Sequence, residues 1–399
     1  MSPYLTHDGK QLAGMQSRAA NRSGILATIL AESGTVTRTR LAAHTGLSQA
    51  TVSRVVDALI RDGLVAEGDA VASGGTGRSA VTLHAAADRG LTCGVDLGGT
   101  NCRLVVGDLL GRPLARSQEV IPDQSAAGLA AWLGRLVTEL AASVSSAGLR
   151  AVAVGLPGVV SPDGVTVSGA PNLPQIEGDS FSRHLRRELG IPVSLHNDSN
   201  LALLGEMRFG AARGLGTVVM LTIGTGLGAG VAVNGQPLVG RGGLVGEFGY
   251  LPAGPRGESL ESLVAGAGLV QHALSLGAEV TSAQDLFSVP PPAGTAPVRR
   301  RFRHALLLLL TTAVIAYDPE AIVIGGGIAA AIAPDLPGIQ RQLGDLLPSA
   351  PDVVLSDLGG LSGAFGGLAA ACQAVYVDLG VDVTAATALP VVSAFDGVG

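Results

Sequence analysis

The residues of this sequence with chemistry to offer are carboxylates, amides and glycine-rich turns. The stretch Leu195-His196-Asn197-Asp198-Ser199-Asn200 places one carboxylate, Asp198, where a short apolar strand (191–195) runs into a helix expected over 201–209. An Asp-Ser-Asn run is often no more than a helix N-cap, because these side chains accept hydrogen bonds from free backbone N–H groups. Its surroundings add a second reading. Asp96-Leu97-Gly98-Gly99-Thr100 lies upstream, and Ile223-Gly224-Thr225-Gly226-Leu227-Gly228 lies downstream. Glycines let backbone N–H groups approach phosphate oxygens, and Thr100 and Asn101 can add side-chain hydrogen bonds. Asp96 is a hard oxygen ligand suited to Mg²⁺ held through water. A carboxylate between two such turns is the layout of a phosphoryl-transfer site. Taken alone, strand-Asp-Gly-Gly-Thr is imitated by tight hairpin turns.

Strands must present these turns. An apolar strand ends at Asp96, and a second is expected over 103–108. The downstream turn follows a strand at 217–221. A third turn, Gly325-Gly326-Gly327, closes a strand at 321–324 that itself follows Asp318-Pro319-Glu320. Three strand-to-glycine turns along one stretch predict two related halves, each a sheet flanked by helices, closing on a nucleotide.

Ahead of this body lies a head of different grammar. Residues 1–17 show no periodicity and read as a flexible arm, followed by a helix over 18–31 with Ile25, Leu26, Ile29 and Leu30 on one face. A second short helix is expected over 37–44. Thr45-Gly46-Leu47-Ser48 then makes a glycine turn, and Ser48 caps a third helix over 49–61. In that helix Val52, Val55, Val56, Leu59 and Ile60 form one apolar stripe, while Gln49, Ala50, Thr51, Arg54 and Arg61 face away from it. Short polar residues and an arginine at a helix start suit the major groove of DNA. Two strands, 64–67 and 79–83, flank a glycine-rich tip that carries Arg78. The order resembles a winged helix-turn-helix over 18–86. It points to double-stranded DNA as a partner, with Arg38, Ser48, Gln49, Ala50, Thr51, Arg54 and Arg78 as contacts. The alternative is a small helical bundle with no DNA role.

Composition narrows the class. The chain has 399 residues, 47% hydrophobic and only 15% charged, enough for two or three domains with a large core. No apolar run reaches the roughly 20 residues a bilayer span requires. The strongest candidate, 305–316, is short and holds two threonines. Three scattered cysteines exclude a disulfide framework and a cysteine-rich metal cluster. A soluble, cytoplasmic protein with no membrane partner is expected. Net charge is −6, yet residues 1–90 hold nine Lys or Arg against seven Asp or Glu, so a slightly basic head sits on an acidic body.

The motifs in order resemble the ROK family of repressors and sugar kinases, within the actin-like ATPase superfamily. Besides the turns above, the resemblance rests on Gly155-Leu156-Pro157-Gly158, Ala170-Pro171-Asn172-Leu173 and Gly246-Glu247-Phe248-Gly249. It implies an α/β two-lobed body, with the first lobe over 91–200, the second over 201–378 and a tail over 379–399. It implies that Asp198 is the general base toward a sugar hydroxyl. Asn172, Asn197, Glu247 and Glu261 would hold sugar hydroxyls. Gly98, Gly99, Thr100, Gly224, Thr225 and Gly226 would cradle phosphates, with Gly325, Gly326 and Gly327 near the adenosine. The residues alone read more blandly: Glu247 as a helix cap or surface acid, Asn172 as a turn residue. The winged head is the arrangement of the family's repressors, so the expected function is sugar-responsive regulation of transcription by a homodimer or homotetramer. The alternative is an ATP-dependent sugar kinase with an accessory DNA-binding head. Intact glycine turns and Asp198 are compatible with Mg-ATP, although sensing requires no cofactor.

One departure bears on metal. The family follows Gly-Glu-x-Gly with His and then a cysteine-rich run that binds zinc. Here the His position is Tyr250, and 251–261 holds no cysteine. A structural zinc site needs four ligands, mostly N or S, so zinc is expected to be absent and Tyr250 to offer only a hydrogen bond to a sugar hydroxyl. Elsewhere, Trp132 reads as packing in a helix over 129–145. Arg299-Arg300-Arg301-Phe302-Arg303 reads as a solvated start to a helix over 305–317.

Overall fold

The computed structural model of the chain describes residues 6–32, 34–71, 80–254 and 257–379. The head comprises α1 (Thr6–Ala31), β1 (Val36–Thr37), α2 (Arg38–Thr45), α3 (Gln49–Arg61), β2 (Val65–Val71) and β3 (Ala80–Ala85). Helix α1 begins at Thr6, so helix occupies most of the segment expected to be a flexible arm. The turn before α3 forms as its residues dictate. Gly46 takes a left-handed φ of 68°, and Ser48 Oγ accepts from the Thr51 N–H at 3.2 Å. Val52, Val56 and Leu59 then pack with Ile25, Leu26, Ile29 and Leu30 of α1 and Leu41 of α2. Val55 and Ile60, expected in the same stripe, are half-buried at its edge. The strands pair in the order β1-β3-β2, which makes the wing.

The first lobe contains β4 (Leu91–Leu97), β5 (Asn101–Asp108), β6 (Pro113–Val120), α4 (Ala126–Val144), β7 (Leu149–Leu156), β8 (Val159–Val160), β9 (Val167–Ser168), α5 (Ser180–Leu189) and β10 (Val193–Asn197), followed directly by α6 (Asp198–Phe209). Trp132 of α4 packs at the edge of this lobe's core. The second lobe contains β11 (Val218–Ile223), β12 (Leu227–Val233), β13 (Gln236–Pro237), α7 (Leu260–Val264), α8 (Gly266–Ser275), α9 (Ala296–Tyr317), β14 (Ala321–Gly325), α10 (Ala329–Ile332), α11 (Leu336–Leu346) and β15 (Asp352–Leu355); α12 (Ser362–Asp378) ends the described chain. Arg299 to Arg303 thus lie inside α9, whose helix starts nine residues before the predicted 305.

Both lobes share one topology. The sheet orders are β10-β7-β4-β5-β6 and β13-β12-β11-β14-β15. In each, the first three strands form an antiparallel meander, and the fourth and fifth run parallel to the first. The two related halves predicted from the glycine turns are therefore present. Each fifth strand leads to a helix that packs on the opposite lobe: α6 against β11 and β12, and α12 against β4, β5 and β7. Glycines permit this exchange. A side chain on Gly228 or Gly230 would run into Ser199, and one on Gly94 into the backbone of Ala364 and Leu368. Where α6 and α12 cross, a side chain on Gly366 would strike the Leu201 carbonyl and one on Gly205 the Ser362 carbonyl. A division at residue 200 assigns α12 to the second lobe, whereas its apolar surface is buried on the first sheet. Among the described residues the helix long and apolar enough to cross a membrane is 359–378 rather than the expected candidate 305–316, and it is mostly buried inside the fold.

The core of the head runs without a break into the body. Val105, Leu110, Phe209, Phe365, Leu368, Cys372 and Tyr376 belong to the same buried cluster as Ile25 and Val52. Tyr376 Oη donates to the Leu109 carbonyl at 2.6 Å, and the Leu109 N–H donates to Ala87 at the head's exit at 3.3 Å.

Candidate functional site

Parallel register brings the two key acids to one end of the first sheet. β4 and β10 flank β7, and both Asp96 and His196 lie opposite Gly155, so Asp198 follows at the carboxyl end of its strand. Ligands of open α/β sheets bind at that end. The N-cap of α6 is Asn197. Its Oδ1 accepts from the Ser199 and Asn200 N–H groups at 3.0 and 3.1 Å, and its Nδ2 donates to the Gly158 carbonyl at 3.0 Å. This side chain, expected on a sugar hydroxyl, is therefore engaged in holding the turn. Asp198 is the half-buried first residue of the helix, with Oδ1 accepting from the Ser199 N–H at 2.7 Å. Burial pushes its carboxyl up to about 6. Asp96 rises to about 7, through burial first and the Asp198 charge second, against the pull of Arg103 at 3.6 Å. A carboxylate titrating near neutrality is suited to general-base work.

The second lobe brings further acids to the same place. Burial, then the charges of Asp198 and Glu261, raise the pKa of Glu247. Glu247 precedes a short 3-10 turn but makes no side-chain cap to it, so the helix-cap reading fails there. Glu261 Oε1 accepts from the Leu227 N–H at 3.0 Å, tying α7 to the second glycine turn. Asn172 is exposed and sits against Gly99, within 3.2 Å of where a side chain there would begin. Tyr250 is 77% exposed. Ser199 Oγ and Thr222 Oγ1 meet at 2.7 Å and join the start of α6 to β11.

Two of the three glycine turns are hairpins, the first joining the two strands expected around it. Residues 98–100 join β4 to β5, and 224–226 join β11 to β12. The Gly98 N–H is spent on the Asn101 carbonyl at 3.1 Å and the Gly224 N–H on Gly226 at 3.0 Å, which leaves fewer donors for phosphate than an open loop would. Gly99, Thr100 and Thr225 are exposed at the tips. The third turn, Gly325 to Gly327, does lead toward a helix. Gly326 has φ 88° and lies over Ile223, and Gln284 Nε2 donates to the Gly327 carbonyl at 2.9 Å. The second and third turns therefore abut.

The donor set does not fit zinc. Tyr250 offers an exposed phenol, residues 251–254 and 257–261 offer no thiol or imidazole, and no metal-holding cluster of His, Cys, Asp or Glu occurs among the described residues. Two concavities, of about 620 and 490 Å³, lie away from these acids between α9 and α11, lined by Arg299, Arg300, Arg303, His304 and Arg341.

On the head, Ser48, Gln49, Ala50 and Arg54 are exposed at the start of α3, and Thr51 is half-buried with its hydroxyl 2.9 Å from Ser48 Oγ. Arg38 is differently placed. Its guanidinium donates to Glu67 at 2.6 Å and to Asp57 at 2.8 Å, binding α2 to β2 and α3 rather than standing free for phosphate. Arg78 lies outside the described residues. Sequence reading missed Arg103, whose partner Asp96 faces it across the hairpin. The signal was the register of Asp96 opposite Arg103 once the turn is read as a hairpin.

Comparison with known proteins places these features. Residues 92–373 match the ROK family and residues 17–79 the MarR family. The DNA-binding transcriptional dual regulator NagC of Escherichia coli strain K12 is 28% identical over 253 residues, covering 61% of this chain and 62% of NagC. A ROK family transcriptional regulator, a homologue of the E. coli MLC protein, superposes with a TM-score of 0.76 over 93% of this chain and 99% of its own; at 21% identity this speaks for the fold alone. A ROK family glucokinase from Streptomyces griseus, solved with glucose and AMPPNP, gives a TM-score of 0.60 at 28% identity over 71% of this chain and all of its own. The chain spans about half to three fifths of the length of the curated relatives it matches, 51% to 62%. With one family model covering residues 92–373 and its motifs standing in order on two lobes of like topology, the chain belongs to the ROK family.

Proposed function

We propose that this protein is a sugar-responsive, DNA-binding regulator of transcription, a repressor that reads operator DNA with the start of α3. The observation that carries the reading is the winged head built on one continuous core with a body that keeps its interlobe acids. Its likeness to NagC supports the same reading. Asp198, Glu247 and Glu261, with Asn172 beside them, suit a polyhydroxylated ligand, because carboxylates and amides offer planar sets of acceptors and donors. Two-fold operators pair with a homodimer, so the active species is at least a dimer. Sugar binding closes the lobes, shifts the heads and changes operator affinity. Such a switch requires different sugar affinity in the two states.

A second reading, an ATP-dependent sugar kinase with an accessory head, is favoured by the near-neutral Asp198 carboxyl. Asp96 and the tips of the glycine turns would hold Mg-ATP, which when bound supplies the phosphoryl group. Asp198 would take the proton from the sugar hydroxyl.

Thermal shift against a sugar panel, with and without Mg-ATP, separates the readings. Each stabilising sugar is then tested for ADP release beside Asp198→Ala and for its effect on operator binding. Stabilisation without turnover, with a change in operator affinity, supports the regulator. Turnover abolished by Asp198→Ala supports the kinase. A sugar that binds and leaves operator affinity unchanged overturns the proposed switch.

A further inference from the structure

The chain passes between the lobes twice. It leaves the first lobe through α6 and the connection 210–217, and returns from β15 through 356–361 into α12. One side chain holds both passages. Glu206, in the last turn of α6, has no solvent exposure. Its Oε2 accepts from the Ala211 N–H at 2.9 Å in the outgoing passage and from the Asp357 N–H at 3.2 Å in the returning one. Its Oε1 accepts from the Ser356 hydroxyl, from Ser362 Oγ at 2.9 Å and from the Leu358 N–H at 3.2 Å. Five donors, three of them backbone, thus converge on one carboxylate where the two passages lie side by side.

The carboxylate also sits at a junction of the two helices that carry the site. α6 begins at Asp198, and α12 begins at Ser362, whose neighbour Gly363 lies directly over the Asp96 carboxylate. Three residues beyond Glu206, Phe209 meets Phe365 of α12 with ring centroids 5.3 Å apart. Buried backbone donors left without this acceptor would bear the full cost of desolvation.

We propose that Glu206 is the pin of the interlobe hinge. It binds the outgoing and returning passages into one unit at the crossing of α6 and α12, the point about which the lobes rotate. Glu206 is a positioning residue and touches no ligand. The inference does not depend on which ligand the site takes, or on whether the protein senses or phosphorylates it.

Hydrogen exchange on the full chain without ligand tests this directly. In the unmodified protein the amides of Ala211, Asp357 and Leu358 should open together and show a common protection. Glu206→Gln keeps the shape but turns one oxygen into a donor, so at least one of these amides loses its acceptor. Exchange should accelerate about tenfold or more in both 210–217 and 356–361, while the strands β4 and β11 keep their protection. A pair of spin labels, one at Arg116 on β6 and one at Gln342 on α11, should show a broader interlobe distance distribution in the variant. Unequal protection of the three amides in the unmodified protein overturns the proposal even if the variant fails to fold. Acceleration in one passage alone, a uniform rise across the chain, or an unchanged distance distribution does so as well.

Discussion

Asp198→Asn should make this protein more stable at pH 8 and bring a markedly smaller gain near pH 4.5. Burial raises the Asp198 carboxyl from 3.8 to about 6, so the folded chain holds that proton more tightly than the unfolded chain. The sign follows from linkage: a raised carboxyl costs nothing below its unfolded value, and its cost grows as pH rises to the folded value and then levels off. The window is therefore pH 4 to 6. Two units at about 1.4 kcal/mol each set an upper bound of about 3 kcal/mol. Solvent reaching the half-buried group lowers this, while removal of the Asp198 charge also relieves Asp96, so a gain of about 2 kcal/mol at pH 8 is expected. At pH 4.5 about a third of that should remain. Asparagine keeps an oxygen for the Ser199 N–H, so the start of α6 is preserved. Urea denaturation of both proteins at both pH values reads the difference. A variant no more stable than the parent at pH 8, or one with the same gain at both pH values, refutes the reasoning.

Three other outcomes are expected. Gly366→Ala should lower the urea midpoint, because forcing α6 and α12 apart at the Leu201 carbonyl costs about 1–3 kcal/mol or more, exceeding the gain of about 1 kcal/mol in helix propensity; a rise in midpoint would show that the crossing has slack. Ser48→Ala should cost about 1 kcal/mol through the lost cap on α3, visible as a lower melting temperature; an unchanged melt would mean that the cap contributes nothing. Arg54→Ala should reduce the slope of log Kd for operator DNA against log salt by about one, whereas Arg38→Ala should leave the slope nearly unchanged and weaken the head instead. Equal slope changes for the two arginines would contradict the placement of Arg38.

What could be read in the sequence follows from the range of the forces involved. The span of α3 matches its prediction because the valine-leucine stripe, the Ser48 cap and Gly63 act within one helix. The glycine turns are legible, and the first is read between two strands, but nothing local reports whether those strands pair with each other. Gly98-Gly99-Thr100 serves a hairpin or a helix-entry loop equally well, and the choice depends on whether the next strand pairs back. Helix α12 gave no periodic signal, because its glycines and alanines are small on every face, as a helix buried all round requires. The ion pairs of Arg38 reach residues 19 and 29 positions away, and Glu206 meets donors about 150 positions away. No local pattern reports either. Asn197 illustrates the reverse case: the bland cap chemistry of the DSN run is present, carried by the residue before Asp198 rather than by Asp198 itself.

The continuous core between head and body also limits how such proteins can be recombined. A head joined by a tether can be exchanged by cutting the tether. Here the joint includes Val105, Leu110, Phe209 and the face of α12 from Phe365 to Tyr376, drawn from four separate parts of the chain. A chimaera that takes a foreign head at residue 86 would set new apolar side chains against these old ones, leaving gaps or clashes. Giving this body a different α3 surface therefore calls for replacing only the exposed start of α3 and leaving the shared seam in place.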